Sequence, residues 1–420
     1  MAGGSGTVGG GGTAGGSETV DGSERADEGG TVGGGGTAGG GGTASRSETV
    51  GGSGTADGSG TAGSYRIAEG RLGGEPTLTV SAPDGLVRAV LALRGATLLS
   101  WQVGRGTAGP RTELTDGYRD EAELRAQDGV RAGLLAPFPN RVADGRYHYD
   151  GRGHDLLPGR LGDRTVYHGF AREAPFRLVG ATLTADSARL LLHGTSIRPG
   201  RYPGYPFALD LAVEYTIGRR ELGIGIRATN VGRTTAPYAA GWHPYFTLSR
   251  PIDDLVLKIP ADTLIRTDAS LIPLRGKEAQ LPLDDCPDMD FRRPRRLGAA
   301  VIDACFTDLT PGADGRTETI LSDPATGDEL RVWQYGGHLH VFTGDTLTRD
   351  RRASIALEPV EATTDAFNRP EHATALALRP GRQREFRFGV TYVPSPVPSP
   401  SPLPPTDPSP GPASARRPSA

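Results

Sequence analysis

Large apolar side chains recur at strand spacing between residues 64 and 393. In FALDLAVEYTI (207–217), for example, every second position carries a large apolar side chain. A period of two places such side chains on one face of a β-strand. Other stretches are apolar for five to nine residues, and turn-forming Gly, Pro, Asp or Asn follow most of them. The predicted strands lie in 77–82, 87–95, 96–103, 176–185, 188–196, 207–217, 221–230, 255–260, 317–323, 329–335, 338–345, 353–359, 375–380 and 384–393.

Only one stretch, RDEAELRAQ (119–127), predicts a short helix, with acidic residues toward its start. Many short strands separated by turn signals are typical of a β-sandwich. No linker-like stretch divides residues 64–393. The pattern therefore predicts an all-β fold, a single large antiparallel β-sandwich over 64–393.

The two ends of the chain have a different composition. Residues 1–63 contain 26 Gly and no Leu, Ile, Phe, Tyr or Trp, and residues 394–420 contain 11 Pro. Such segments cannot bury enough apolar surface to offset the entropy lost on ordering. We therefore expect three parts: a disordered Gly/Thr/Ala/Ser-rich repeat over 1–63, the β-sandwich over 64–393, and a disordered Pro/Ser-rich tail over 394–420.

Charge and hydropathy narrow the function classes. The formal net charge of −3 disfavours a nucleic-acid-binding protein. The chain has no apolar window of 18 residues that would predict a membrane span, and no secretory signal pattern. We expect a cytoplasmic protein, monomeric or weakly dimeric, with neither nucleic acid nor membrane as partner. In that compartment Cys286 and Cys305 would be reduced thiols.

Four segments place polar residues within otherwise apolar surroundings. They contain Asn140 and Arg141 in a Pro-rich loop, His168 before a Gly, His243 between aromatic residues, and Glu358 at the end of an apolar run. Each has a structural explanation when taken alone: a turn, a core histidine or an ion pair. Together they provide the residue types of an acid–base site, because His and a buried Glu can both exchange protons near neutral pH.

Other chemistries are less well supported. His338 and His340 could share one face of a strand and bind a metal, but no third ligand lies nearby in the sequence. No GxSxG nucleophile motif is present. The aromatic residues around His243, which include Trp242 and Tyr245, are expected to form a wall that suits the apolar face of a sugar as well as a protein core.

These segments also carry a family resemblance. Over about residues 70–390 the chain resembles the bacterial subgroup of the aldose 1-epimerases, or galactose mutarotases. Six motifs occur in the family's order: PFPNRVADGRYHYDG, HGF, GWHPYF, IDACFTDL, HVFTGD and ALEPVEATTDAFN. The resemblance implies a galactose mutarotase-like sandwich with an open cleft, no metal and no organic cofactor. The terminal segments are not covered by it.

The resemblance also implies roles for individual residues. Glu358 falls at the position of the general base and His243 at that of the general acid. Asn140, Arg141, His168 and Asp303 fall on substrate-contacting positions. Glu361 is a rival for Glu358, but the family motif has its acid directly after the apolar run. A continuing strand would also turn Glu361 to the opposite side.

The activity implied by the resemblance is interconversion of the α and β anomers of a free aldohexose, a small-molecule sugar. Two alternatives stay open. A hexose-6-phosphate 1-epimerase would need additional cations for the phosphate, which Arg172 and Arg141 could supply. A carbohydrate-binding or sensing domain would keep the sandwich without catalysis, although the acid–base pair is present. A surface adhesin with the tails as spacers is disfavoured by the lack of a signal sequence.

Overall fold

The computed structural model describes residues 63–106 and 110–396. The segments predicted to be disordered, 1–63 and 394–420, lie outside the described residues except for residue 63 and residues 394–396. At the end of this range, the backbone N–H of Ser395 donates a hydrogen bond of 2.9 Å to Asp328 Oδ1. Contacts with the β-domain therefore continue two residues beyond the predicted boundary at 393.

The first half of the domain contains fourteen strands and one short α-helix, α1 (Glu121–Ala126). The strands are β1 (Arg66–Leu72), β2 (Glu75–Ser81), β3 (Val87–Ala92), β4 (Thr97–Gly104), β5 (Arg111–Glu113), β6 (Gly133–Leu135), β7 (Arg141–Val142), β8 (Arg146–Tyr149), β9 (Arg152–Asp155), β10 (Val166–Tyr167), β11 (Arg177–Leu183), β12 (Ser187–Ile197), β13 (Leu209–Gly218) and β14 (Glu221–Asn230).

The second half contains another fourteen strands and a second short helix, α2 (Ala373–Leu376). The strands are β15 (Ala236–Pro237), β16 (Gly241–His243), β17 (Tyr245–Phe246), β18 (Val256–Lys258), β19 (Ala261–Ile265), β20 (Gln280–Pro282), β21 (Arg295–Arg296), β22 (Asp303–Leu309), β23 (Thr317–Ser322), β24 (Glu329–Gln334), β25 (His338–Phe342), β26 (Ile355–Val360), β27 (Ala377–Leu378) and β28 (Gln383–Val393).

Two large antiparallel sheets form the sandwich. One has nine strands in the order β11-β12-β13-β14-β28-β24-β23-β18-β21. The other has eight strands, in the order β20-β19-β22-β25-β26-β16-β6, with β17 also paired to β26. Strands β1 to β5 form a separate five-stranded sheet in sequential order. This arrangement confirms the predicted all-β sandwich.

One continuous apolar core joins these sheets. Trp242 of β16 stacks on Phe388 of β28, with ring centroids 5.5 Å apart, and so links the eight-stranded sheet to the nine-stranded sheet. The Tyr215 hydroxyl donates a 2.7 Å hydrogen bond to the carbonyl oxygen of Ala96, linking β13 to the segment before β4. Packing therefore fixes β16, which carries His243, from the side opposite to that residue.

Each of the fourteen predicted segments contains a strand, and the predicted helix is α1. Asp120 caps this helix by accepting a hydrogen bond from the backbone N–H of Glu123. The prediction for 375–380 is only partly right, because the first two residues complete α2 before the two-residue strand β27. Ala and Leu are good helix formers, so a short apolar run of them does not distinguish a helix from a strand.

Several strands escape prediction. The edge strand β1 has no buried residue and pairs only with β2, so its sequence shows no apolar face. Strands of two or three residues are too short to show a period. Cys286 and Cys305 are both free, and no helix in the described part of the chain is long and apolar enough to cross a membrane.

Gly169, which follows His168, lies directly against the backbone of Ala136. It has φ +62°, and a Cβ there would overlap the carbonyl oxygen of Ala136. Gly159 also has a positive φ, +75°, but has open space around it. Alanine at either position incurs the left-handed backbone cost of about 1–2 kcal/mol. Only at Gly169 does overlap with a neighbouring segment add to that cost.

We therefore predict that Gly169→Ala lowers the free energy of unfolding by about 1–3 kcal/mol more than Gly159→Ala does. Denaturant unfolding of both variants and the wild type measures the difference. Equal losses would show that the 136–169 contact is not tightly packed.

Candidate active site

A cleft with a volume of about 210 Å³ is lined by residues of β16, β22, β25 and β26 and by the loops around them. It brings together all six residues proposed from the sequence as catalytic or substrate-binding. The lining residues that the argument below uses are Asp128, Asn140, Arg141, His168, His243, Tyr245, Asp303, His340 and Glu358.

The sheet sets a row of three side chains across adjacent strands. Cys305 of β22 is the register partner of His340 of β25, which is in turn the partner of Glu358 of β26. Directly paired residues project from the same face of a sheet. Asp303 lies two residues before Cys305, also on that face. The antiparallel register therefore places two carboxyl groups and an imidazole side by side.

His243 completes the row from β16, the next strand in the sheet. Its backbone pairs with Gly133 of β6, and its carbonyl oxygen accepts a 2.8 Å hydrogen bond from the backbone N–H of Ala132. Its Nε2 lies 3.2 Å from Glu358 Oε1. The Tyr245 ring packs against the His243 ring, with centroids 5.1 Å apart. The acid and the base predicted from the sequence are therefore in direct contact.

The other wall comes from two loops that hold each other. The backbone N–H of Asn140 donates to His168 Nδ1 (3.2 Å), and the backbone N–H of His168 donates to the Asn140 carbonyl oxygen (2.9 Å). Both residues have a positive φ, +54° and +66°. Asn140 Oδ1 also accepts from the backbone N–H and Nη1 of Arg141. Asn140 thus orients Arg141, and its backbone N–H fixes the tautomer of the His168 ring.

Burial controls the protonation of the Glu358–His243 pair. The side chains are 1% and 7% exposed. Burial raises the pKa of Glu358 to about 8, although the positive charges of His340 and Arg141 act against the shift. Burial, with His340 adding to it, lowers the pKa of His243 to about 3. At neutral pH the pair therefore holds one proton, which resides mainly on Glu358 in the unliganded cleft.

A second pair beside it carries opposite charges. His340 Nε2 lies 2.8 Å from Asp303 Oδ1. Burial opposes the charge on His340, but its hydrogen bond to Asp303 and the nearby carboxyl groups hold its pKa well above the usual value. Burial likewise opposes ionisation of Asp303, yet the bond to His340 keeps the pKa of Asp303 low. Burial and the neighbouring cations lower the pKa of His168, so its ring is neutral.

Comparison with known proteins identifies the family of the chain. The family model described as aldose 1-epimerase matches residues 76–391. The chain belongs to the aldose 1-epimerase family. The resemblance seen in the sequence motifs is thereby confirmed, and the match spans nearly all of the β-domain.

Relatives of this aldose 1-epimerase family member include both uncharacterized and named proteins. The uncharacterized protein YihR of Escherichia coli is 28% identical over 262 residues, which cover 61% of this chain and 77% of YihR. Human galactose mutarotase is 25% identical over 346 residues, covering 76% of this chain and 96% of the human protein. Both matches extend over most of the relatives' length.

Solved structures share the fold at lower identity. Galactose 1-epimerase from Lactobacillus acidophilus superposes with a TM-score of 0.65 at 16% identity, covering 79% of this chain and 98% of that one. An aldose epimerase homologue from Caenorhabditis elegans gives a TM-score of 0.62 at 19% identity, covering 73% and 96%. These likenesses establish the galactose mutarotase fold.

The structure separates Glu361 from the site. Its Oε2 accepts a 2.7 Å hydrogen bond from the backbone N–H of Ala240, and it lines a different cavity beside His372 and Arg384. Burial raises the pKa of Glu361 to about 7. Of the two carboxyl groups near the end of β26, Glu358 is the one in the cleft.

The aromatic residues around His243 divide between the core and the cleft. Trp242 is fully buried in the core, whereas Tyr245 lines the cleft. Neighbouring strand residues point to opposite faces, which keeps Trp242 out of the cleft. Arg172 does not line the cleft either. Its Nη1 lies 3.1 Å from Glu173 Oε1, and its guanidinium carbon lies 5.8 Å from the Tyr167 ring centre.

Sequence reasoning missed His340 as an acid–base neighbour, having considered it only as a metal ligand. In the described residues, no group of three or more His, Cys, Asp and Glu side chains is arranged to hold a metal ion. His340 instead binds Asp303. The only available signal was its position in the HVFTGD motif, since the pattern of one strand does not show which residue of the neighbouring strand lies opposite.

We predict that Glu358 is protonated at pH 7 and ionises as the pH rises through about 8. Infrared difference spectra of the wild type against Glu358→Gln should show a protonated-carboxyl band that disappears across that range. Glu361→Gln serves as the control, because Glu361 titrates near 7 outside the cleft. A carboxylate band for Glu358 already at pH 6 would contradict the prediction that burial keeps Glu358 protonated.

Proposed function

We propose that the protein is a mutarotase that interconverts the α and β anomers of a free aldohexose. The observation that carries this proposal is the 3.2 Å contact between Glu358 Oε1 and His243 Nε2 at a cleft of sugar size. Mutarotation needs a group that takes the proton from the C1 hydroxyl and another that gives a proton to the ring oxygen. A carboxyl–imidazole pair holding one proton supplies both.

The proton balance closes within the pair. Transfer of the shared proton from Glu358 to His243 gives a carboxylate and an imidazolium. The carboxylate then takes the C1 hydroxyl proton, the bond between C1 and the ring oxygen breaks, and the ring oxygen takes the imidazolium proton. This step returns the pair to its resting form, protonated Glu358 and neutral His243. After rotation about C1–C2, the reverse transfers close the ring on the other face.

The remaining proposed roles are in binding. Because His168 Nδ1 accepts a backbone hydrogen bond, its neutral ring carries the proton on Nε2 and can donate to a sugar hydroxyl. Arg141, held by Asn140, offers further donors. Asp303 has 31% of its side chain exposed and uses Oδ1 for His340, so its other oxygen can accept from a hydroxyl.

The charges around the cleft favour a free sugar over a sugar phosphate. Among the described residues, Arg141 is the one Arg or Lys side chain that lines the cleft. Arg172, the other cation considered for a phosphate, is paired with Glu173 outside it. The carboxylate of Asp128 also lines the cleft and accepts a hydrogen bond from the Thr348 hydroxyl. A phosphate would find one arginine, because the charged ring of His340 is already paired with Asp303.

We expect Glu358→Gln and His243→Asn each to lower kcat by about 10²-fold or more, the scale of one lost general acid or base. Exchange NMR at anomeric equilibrium measures the rate. Glu361→Gln is the matched control. It makes the same change three residues away, outside the cleft, and keeps an oxygen for the Ala240 N–H, so its kcat should stay near the wild-type value.

Near-normal turnover in Glu358→Gln, with collapse in Glu361→Gln, would show that the base is misassigned. Wild-type protein that binds sugars without interconverting their anomers would instead support a carbohydrate-binding or sensing domain.

The pH dependence follows from the single proton of the pair. The plot of kcat/KM for the wild type should rise through about 3, where the doubly protonated pair loses a proton, and fall through about 8, where the last proton leaves. A plateau between these limits is expected where the enzyme is folded. A rate that still rises above pH 9 would contradict a one-proton pair.

Substrate class is tested with a panel of free aldohexoses and their 6-phosphates. We expect kcat/KM to be higher for at least one free aldohexose than for every 6-phosphate, because the cleft lining offers a single arginine. The reverse order would establish the phosphorylated alternative.

A further inference from the structure

His340 occupies the centre of the row that the proposed reaction uses, yet the reaction gives it no proton to carry. Its side chain is 9% exposed and lies between Asp303, bonded to its Nε2 at 2.8 Å, and Glu358, its register partner on β26. A buried imidazolium is costly unless an anion pairs with it, and Asp303 provides that anion. Its place in the site therefore requires a physical role.

We propose that His340 is a positioning residue of the proposed reaction: as an imidazolium it holds Asp303 ionised and aligned for the sugar, and its charge promotes ionisation of Glu358. This inference rests on the proposed function. It adds a residue to the site that acts through its two neighbours rather than on the substrate.

The surroundings of His340 support the charged form. The titratable and charged groups near it are Asp303, Cys305, Glu358, His243, His168 and Arg141. Burial leaves the two neighbouring imidazoles neutral, so Arg141 is the competing cation, whereas the carboxylate of Asp303 is bonded directly to His340. The bond to Asp303 outweighs burial and holds the pKa of His340 well above its usual value.

The charge matters most for Glu358. Burial opposes the carboxylate form of Glu358, and the cation on the adjacent strand favours that form. The same cation lowers the pKa of His243. Removing the charge of His340 should therefore raise the pKa values of both Glu358 and His243.

His340→Gln separates charge from shape, because its amide can still donate a hydrogen bond to Asp303 but carries no charge. We expect both limbs of the kcat/KM profile to move to higher pH, because each protonated form of the pair loses a repulsive cation. A purely structural role for His340 would lower activity without moving either limb.

His338→Gln is the matched control. It makes the same change two residues earlier on β25, outside the cleft lining. We expect neither limb to move in this variant. Limbs that stay in place in a folded His340→Gln protein, or that move equally in both variants, would overturn the proposal.

A second measurement reports the protonation of the His340 ring in the wild-type protein, and it does not depend on catalytic activity. With ¹⁵N-labelled histidine in the full-length wild-type protein, which has eight His, the ring nitrogens of His340 should both carry protons at pH 7 and well above it. Signals can be assigned by loss in His-to-Gln variants. A neutral His340 ring at pH 7 would overturn the inference, whereas absent mutarotation with a charged His340 would count only against the proposed function.

Discussion

Exclusion of water from one carboxyl–imidazole pair is the constraint on which the site depends. In water Glu358 would be ionised near pH 7, His243 would lose its charge at about pH 6.5, and each would titrate alone. At 1% and 7% exposure neither can keep an isolated charge, and they share one proton across 3.2 Å. The sheet must therefore hold β16 and β26 in a fixed relation, and the stack of Trp242 on Phe388 anchors β16 from behind.

The loops opposite the sheet meet the same demand for rigidity by another route. Asn140 and His168 both adopt left-handed backbone conformations, which cost free energy for residues other than glycine. Two reciprocal hydrogen bonds between them offset that cost, and one of these also fixes the His168 ring. Because Gly169 passes directly against Ala136, the two loops cannot shift independently.

Much of this architecture could be read from the sequence, since alternation is a local property. Long strands such as β13 and β14 show it clearly, and the motifs indicated the residues of the cleft. The edge strand β1 has no buried face and so gave no signal. The position of Trp242 in the core could be predicted in principle, because a residue next to His243 on a strand must point away from it.

The role of His340 could not be read in this way. Its role depends on the register that pairs it with Glu358 and Cys305, and the pattern within a strand does not show which residues of the neighbouring strands lie opposite. As a sequence pattern, HLH fits a metal site as well as it fits a buried ion pair. Only the assembled sheet shows that His340 is paired with Asp303, whose Oδ1 lies 2.8 Å from His340 Nε2.

The two pairs also constrain what the cleft can accept. Asp303 and His340 balance each other, and Glu358 and His243 together hold one proton without net charge. A neutral sugar brings hydroxyl dipoles that can replace water at these groups while leaving the charge balance unchanged. A dianionic substituent near the pair would raise the pKa of Glu358 further and oppose the carboxylate form that the proposed ring opening needs. Low solvent access, which makes the pair useful, thus also favours an uncharged substrate at the reacting end of the cleft.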